Sequence, residues 1–238
     1  SAGKQRGNFA RPKAVATDRS GNVCVTDAAF GNRQIFTPDG DLLMFIGDNG
    51  TGGGVTSRFQ GADYLGGKGS TTRRGTHVPC IASWPAVMKA GRVNRDLISS
   101  ADFLPTICEA AGVAVPANID GVSFLPQLRG ERVTPRQWLY CWYSPRQRAD
   151  LPGREFAADH HYKLYRDGRF FDLAADPDET APQPLAQFAG EAAAAAQKLQ
   201  AVLDQFQNVR PTELDRQFQE SVKPEPGLKA KKKQRRQP

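Results

Sequence analysis

The segment MFIGDNGTGGG, residues 44–54, decides how this sequence of 238 residues is interpreted, because its character changes in the middle. The apolar residues 44–46 predict the end of a β-strand, whereas Asp48, Asn49 and the glycines after them predict a loop. A carboxylate beside an amide at a strand end either closes a simple turn or provides two hard oxygen ligands for a calcium or magnesium ion. On this dipeptide alone the turn is favoured, so the rest of the sequence must supply the evidence for a site.

Residues 1–46, which precede this point, have an all-β pattern. NVCVTD (22–27) alternates apolar and polar residues, and RQIFT (33–37) and DLLMFIG (41–47) follow after short turns. Three short strands joined in this way predict a β-meander. A meander of this size is not stable alone in water.

This N-terminal region also carries a family resemblance. The phrase GNFARPKAVATDRSGNVCVTD (7–27), together with the strands that follow it, resembles one NHL repeat, the blade unit of a β-propeller. The resemblance implies that residues 1–46 form one blade of a type used for binding or scaffolding. Propellers need several blades to close, and we find no second copy of the phrase in the sequence.

From residue 47 the sequence mixes loop, helix and strand, which predicts an α/β region over residues 47–210. Residues 55–79 show no hydrophobic period and predict a long loop. The segment SSADFLPTICEAAGV (99–113) predicts a helix with one apolar inner face, formed by Phe103, Leu104, Ile107, Cys108 and Ala111. The remaining predicted elements are strands in 79–88 and 136–143, a hairpin at 161–173, and a helix at 191–206 with Leu199, Val202, Leu203 and Phe206 on its inner face.

Lys68, in GGKGSTT (66–72), is the second candidate for chemistry. Flanking glycines allow the backbone to approach a ligand closely, and a lysine ammonium is a compact charge for an oxyanion. A nucleotide-binding P-loop is excluded by the pattern, since Ala62 stands where its first glycine belongs and Gly69 where Ser or Thr must follow the lysine. By itself the segment is more typical of a surface loop.

Taken together, these motifs resemble the carboxyl half of arylsulfatases. GDNGT, GGKGSTTRRGTHVP, WP, SADFLPT, DGVSFLPQLRG and YKLYRDGRFFDL occur in that order between residues 44 and 208. The resemblance implies a partial alkaline-phosphatase-like α/β fold, a sulfate ester substrate and a calcium ion. It also implies that Asp48 and Asn49 are calcium ligands and that Lys68 binds a sulfate oxygen. His77 could face the substrate, although a packing or merely exposed histidine is the stronger alternative.

The resemblance is incomplete where the reaction begins. The nucleophile of the family is a formylglycine made from the Cys or Ser of a Cys-x-(Pro/Ala)-x-Arg motif, and CIASW (80–84) has Trp84 in place of the arginine. Cys24 does not match either, and the upstream aspartates, histidine and lysine of the family's first half have no counterparts. We therefore expect a weak calcium site. We also expect a truncated sulfatase that is inactive alone, unless a separate chain supplies the missing half.

Composition places the basic charge at one end of the sequence. The net charge is +7, but KAKKKQRRQP (229–238) holds six basic residues and leaves only +1 on the rest. Residues 211–238 predict a disordered basic tail, and nucleic-acid binding, which such a tail could support, is the weakest of the function classes left open. We find no apolar run long enough to span a membrane, no signal peptide and no CxxC pair. The sulfatase resemblance implies an exported or periplasmic location.

Overall fold

The computed structural model describes residues 12–17, 19–27, 32–40, 42–47, 50–59, 61–144 and 153–208, with positions 213, 216, 217 and 220. Asp48 and Asn49 lie outside the described residues, as do nearly all of the predicted tail and the first part of the NHL-like phrase. The strands are β1 (Pro12–Thr17), β2 (Val23–Asp27), β3 (Asn32–Phe36), β4 (Leu42–Gly47), β5 (Thr56–Phe59), β6 (Ala62–Leu65), β7 (Cys80–Ala82), β8 (Leu139–Tyr143), β9 (Arg154–Ala158), β10 (Tyr162–Tyr165) and β11 (Phe170–Asp172). The helices are α1 (Arg73–Thr76), α2 (Phe103–Ala110), α3 (Leu125–Arg129) and α4 (Gly190–Gln205), and short 3-10 turns lie at Ser100–Asp102 and Leu185–Gln187.

The N-terminal meander is present and is extended by a strand from the second region. The first sheet has the order β1-β2-β3-β4-β7, and every neighbouring pair is antiparallel. In the last pair Met44 lies opposite Ala82, and Ile46 lies opposite Cys80. Strand β4 therefore ends the meander and also begins the second region, because its outer edge is used by β7 from beyond residue 47. The interpretation of the meander as an NHL blade remains a prediction.

The second sheet holds most of the core. Its order is β11-β10-β9-β8, antiparallel throughout, and α4 packs across β9 and β10. The inner face of α4 is the one predicted from the 3.6-residue period, since Leu199, Val202, Leu203 and Phe206 are all buried. Each fully buried leucine of this kind contributes about 1.5–3 kcal/mol relative to an exposed one. The aromatic ring of Tyr140 on β8 stacks on Phe206 with a centroid separation of 4.1 Å.

Two predictions for the middle of the chain are wrong. Residues 55–79 are not a structureless loop, because β5 and β6 form a hairpin around Gly61 and α1 follows it. All four residues of β6 are exposed, which explains why the segment shows no hydrophobic period. Helix α2 does not bury its predicted apolar face either, since Leu104 and Ile107 are each 49% exposed.

Helix α2 instead buries Pro105 and Thr106. The Thr106 hydroxyl donates to the backbone oxygen of Asp102 (2.6 Å) and accepts from the backbone N–H of Phe124 (3.0 Å). The Asp102 carboxylate closes a capping box with Ser99 and forms an ion pair with Arg136 in which both side chains are nearly buried. These polar contacts hold α2 against α3 and fix which face is buried. No helix among the described residues has the length and apolar character needed to cross a membrane.

Candidate functional site

The segment that contains Lys68 packs against the residues that follow β4. The backbone N–H of Gly50 donates to the oxygen of Gly75 (2.9 Å), and Gly47 donates to the oxygen of Pro79 (3.1 Å). A Cβ atom at position 50 would lie 2.1 Å from the backbone oxygen of Arg74, so only glycine fits there. The two glycines that bracket Asp48-Asn49 in sequence are therefore both hydrogen-bonded to the segment 66–79.

Glycines shape the loop around Lys68 in the same way. The backbone N–H of Lys68 donates to the oxygen of Thr51 (2.8 Å). A Cβ atom would lie 2.3 Å from the backbone oxygen of Gly52 at position 66, and 2.4 Å from the Arg74 Cβ at position 67. The Lys68 side chain is exposed, and no described residue forms an ion pair or hydrogen bond with its ammonium. The backbone of the loop is thus held firmly while its cation stays available to an anion.

A buried polar network ties this loop to the second sheet. The Lys163 ammonium, on β10, donates to the backbone oxygen of Thr71 and forms an ion pair with Glu179 at 2.9 Å. The Tyr165 hydroxyl lies 2.6 Å from Glu179 Oε2 and 3.0 Å from Thr71 Oγ1. Burial lowers the pKa of Lys163, while the Glu179 carboxylate acts in the opposite direction. Because Lys163 and Glu179 are almost fully buried, each needs the other as a partner.

A second tie lies at the surface. Arg74 makes a two-point contact with Asp178, with both N–O distances 2.6 Å, and its guanidinium lies 5.1 Å from the centroid of the Tyr64 ring. The Asp178 hydrogen bond raises the pKa of Arg74. This arginine is therefore neutralised and structural. Of the two arginines that follow the Lys68 motif, only Arg73 lacks a carboxylate partner among the described residues.

His77 lies at the end of α1, at the surface. Its backbone N–H donates to the oxygen of Arg73 (2.9 Å), and its Nδ1 accepts a hydrogen bond from Arg73 Nε at 3.3 Å. Partial burial of the imidazole and the charge of Arg73 lower the pKa of His77. The imidazole is thus held neutral and in one orientation. The expectation that it faces substrate remains a prediction.

The predicted metal ligands cannot be placed, since Asp48 and Asn49 lie outside the described residues. In the described part of the chain, no three His, Cys, Asp or Glu side chains are grouped so as to hold a metal ion. Cys80 lies in β7 with an exposed side chain, and burial of part of the thiol raises its pKa. A raised pKa keeps it a thiol at neutral pH, unlike an activated nucleophile.

Sequence reasoning missed the network around Lys163. The segment YKLY (162–165) was interpreted only as an apolar strand. A lysine in the centre of such a strand is itself a signal, because a buried ammonium requires an acidic partner elsewhere in the chain. That signal does not identify Glu179 as the partner or Thr71 as the acceptor. These contacts join residues 92 positions apart and exist only in the fold.

Residues 71–208 match the protein family described as N-sulphoglucosamine sulphohydrolase, C-terminal. Arylsulfatase A from Bos taurus is 33% identical over 173 residues, which are 67% of this chain and 33% of that protein. Human arylsulfatase A is 36% identical over 130 residues, 50% of this chain and 24% of that protein. An ulvan-active sulfatase from Formosa agariphila is 34% identical over 105 residues, 44% of this chain and 18% of that protein. The chain therefore spans no more than about a third of the length of these relatives.

Proposed function

The chain belongs to the N-sulphoglucosamine sulphohydrolase C-terminal family, and on that premise we propose that it carries the sulfate-binding half of a sulfatase, with Lys68 as the anion contact. The observation that supports this role most directly is the contrast at Lys68. Its backbone is fixed to Thr51 in a loop where larger residues cannot replace glycine, yet no described group neutralises its ammonium. A rigid loop that presents a free cation is suited to binding a sulfuryl oxygen.

A cation site beside Lys68 is the second part of the proposal. Asp48 and Asn49 offer a carboxylate and an amide oxygen, which are the hard donors that calcium takes. Calcium needs six to eight oxygens, so two side chains hold it weakly unless other groups complete the site. When bound, the ion would offset negative charge on the sulfate ester. The contribution of this chain is to fix the glycines on either side of the pair against residues 75 and 79.

Catalysis is assigned to a region that this sequence does not show. CIASW (80–84) lacks the arginine of the formylglycine motif, and Cys80 has a raised pKa. We expect the isolated chain to bind sulfate esters without hydrolysing them. In an active enzyme the nucleophile would come from a separate sulfatase half. The exposed apolar residues of α2, Leu104 and Ile107, support such a contact, because apolar pairs of this kind usually pack against protein.

The test measures binding and turnover on the same samples. Calorimetric titration with inorganic sulfate should give saturable binding that Lys68→Ala weakens about tenfold, as expected for loss of a charged hydrogen bond. Lys89→Ala removes an exposed lysine outside the loop and should leave the binding unchanged. Turnover of an aryl sulfate above the level of the Lys68→Ala variant would contradict the inactivity. Equal binding by all three proteins would contradict the sulfate-binding role.

An alternative is a binding or scaffolding module led by the NHL-like segment. The four antiparallel strands β1 to β4 favour it, since a propeller blade has four such strands. A module of this kind needs further blades and makes no use of Lys68. Sulfate binding that depends on Lys68 therefore distinguishes the sulfatase proposal from this alternative.

A further inference from the structure

The last residue of β8 lies beside the Lys68 loop. Successive side chains of a strand point to opposite faces, and Tyr140 packs on the α4 side, where it stacks on Phe206. Cys141 packs on the other side, with Phe156, Tyr165 and Phe171. That second face is the one on which Tyr165 contacts Thr71. By the same alternation Tyr143 lies on the face that meets the loop.

Tyr143 reaches the residue next to Lys68. Its hydroxyl oxygen lies 3.8 Å from the position that a Cβ atom of Gly69 would occupy. Gly69 has a φ of +87°, so the backbone turns at this point in a conformation that other residues adopt only with strain. The phenol ring therefore stands next to the turn that presents the Lys68 ammonium.

The hydroxyl of Tyr143 is not used by the fold. No described residue forms a hydrogen bond with it, and the side chain is only half-buried. Tyr165, two strands away in the same sheet, differs in that its hydroxyl contacts both Glu179 and Thr71. A half-exposed phenol with a free hydroxyl beside an unpaired ammonium can stack on a ring and also donate a hydrogen bond.

We propose that Tyr143 contacts the ring that carries the sulfate and so selects ring-bearing sulfate esters over small ones. This inference rests on the proposed function, because it requires the sulfate to be held by Lys68. The ring can belong to an aryl group or to a sugar, since both present a flat or weakly polar face to a tyrosine. The role is one of substrate contact and selection, and Lys68 alone would account for the binding of free sulfate.

The test compares probes that differ only in the group attached to sulfate. Affinities of the full chain are measured by calorimetry for methyl sulfate, 4-nitrophenyl sulfate and glucose 6-sulfate. Tyr143→Ala should weaken one or both ring-bearing probes about fivefold, which corresponds to one aromatic contact, and should leave methyl sulfate unchanged. The two ring-bearing probes show whether the ring is aromatic or a sugar. Tyr143→Leu keeps an apolar side chain in place and provides the same comparison if the alanine variant does not fold.

Each other outcome overturns a defined statement. An equal loss for methyl sulfate would mean that Tyr143 only supports the loop, and unchanged affinities would mean that it makes no contact. Either result overturns this inference and leaves the sulfate-binding role of Lys68 in place. If the unaltered chain binds neither methyl sulfate nor inorganic sulfate, the proposed function fails and this inference fails with it.

Discussion

The buried ammonium of Lys163 donates a hydrogen bond to the backbone oxygen of Thr71, which joins the second sheet to the loop of Lys68. The same ammonium is paired with Glu179 at 2.9 Å and lies 3.9 Å from the centroid of the Phe156 ring. Because the loop has little apolar surface of its own, this contact, with Tyr165 and the Arg74–Asp178 pair, fixes its position.

Removal of the Lys163 charge should therefore be costly. In Lys163→Met the Glu179 carboxylate stays buried without a cation, and we expect the free energy of unfolding to fall by about 3–5 kcal/mol, measured by urea denaturation. Lys198→Met breaks the more exposed pair with Asp159 and should cost less than about 1 kcal/mol. Lys163→Met/Glu179→Leu should recover much of the loss. A double variant as unstable as Lys163→Met would contradict the assignment of the cost to the unpaired carboxylate.

The close packing of glycine backbones provides a second prediction. A Cβ atom at Gly75 would lie 2.1 Å from the oxygen of Ser70, whereas a Cβ atom at Gly52 meets nothing within 4 Å. Gly75→Ala should cost about 1–3 kcal/mol and weaken sulfate binding, because the Lys68 turn must shift. Gly52→Ala should stay within about 0.5 kcal/mol of the parent protein. Thermal unfolding and sulfate titration check both, and equal effects of the two variants would contradict the packing argument.

Regular periodicity accounts for what the sequence could predict. The inner face of α4 follows a 3.6-residue period, and the strands of the meander lie where apolar residues alternate. Helix α2 departs from its pattern because Thr106 and Asp102 have specific polar partners that outweigh the burial of Leu104 and Ile107. The β5–β6 hairpin could not be predicted from hydrophobicity, since its visible signal is only the turn at Gly61.

The candidate site divides in the same way. Lys68 was identified from its glycines, which the structure shows in contact with neighbouring backbone. Its supporting residues, Lys163 and Glu179, come from distant segments, and no local pattern pairs them. Tyr143 was missed because it appeared only as the end of an apolar strand. Its importance arises from the distance between its hydroxyl and Gly69.

The lowered pKa of His77 has a consequence for stability. Partial burial and the Arg73 charge favour the neutral imidazole in the folded state, so the unfolded chain binds a proton more readily. This contribution is fully present above the ordinary histidine pKa of about 6.5 and is lost as the pH falls through the lower value of the folded protein. NMR titration of His77 should give a midpoint below 6.5, and Arg73→Gln should raise it. A midpoint at or above 6.5, unmoved by Arg73→Gln, would contradict this electrostatic account.

Calcium binding provides the last prediction, and it tests the dipeptide Asp48-Asn49. Two side-chain ligands predict a dissociation constant on the order of 0.1–1 mM or weaker, because affinity follows the number and charge of the oxygen ligands. Asp48→Ala should abolish the binding detected by calorimetry, whereas Asp39→Ala, in the exposed turn before β4, should not change it. Calcium should also strengthen sulfate binding in the parent protein but not in Asp48→Ala, since the ion would act on the same anion as Lys68. Micromolar binding that survives Asp48→Ala would place the ion elsewhere and would return Asp48-Asn49 to the role of a simple turn.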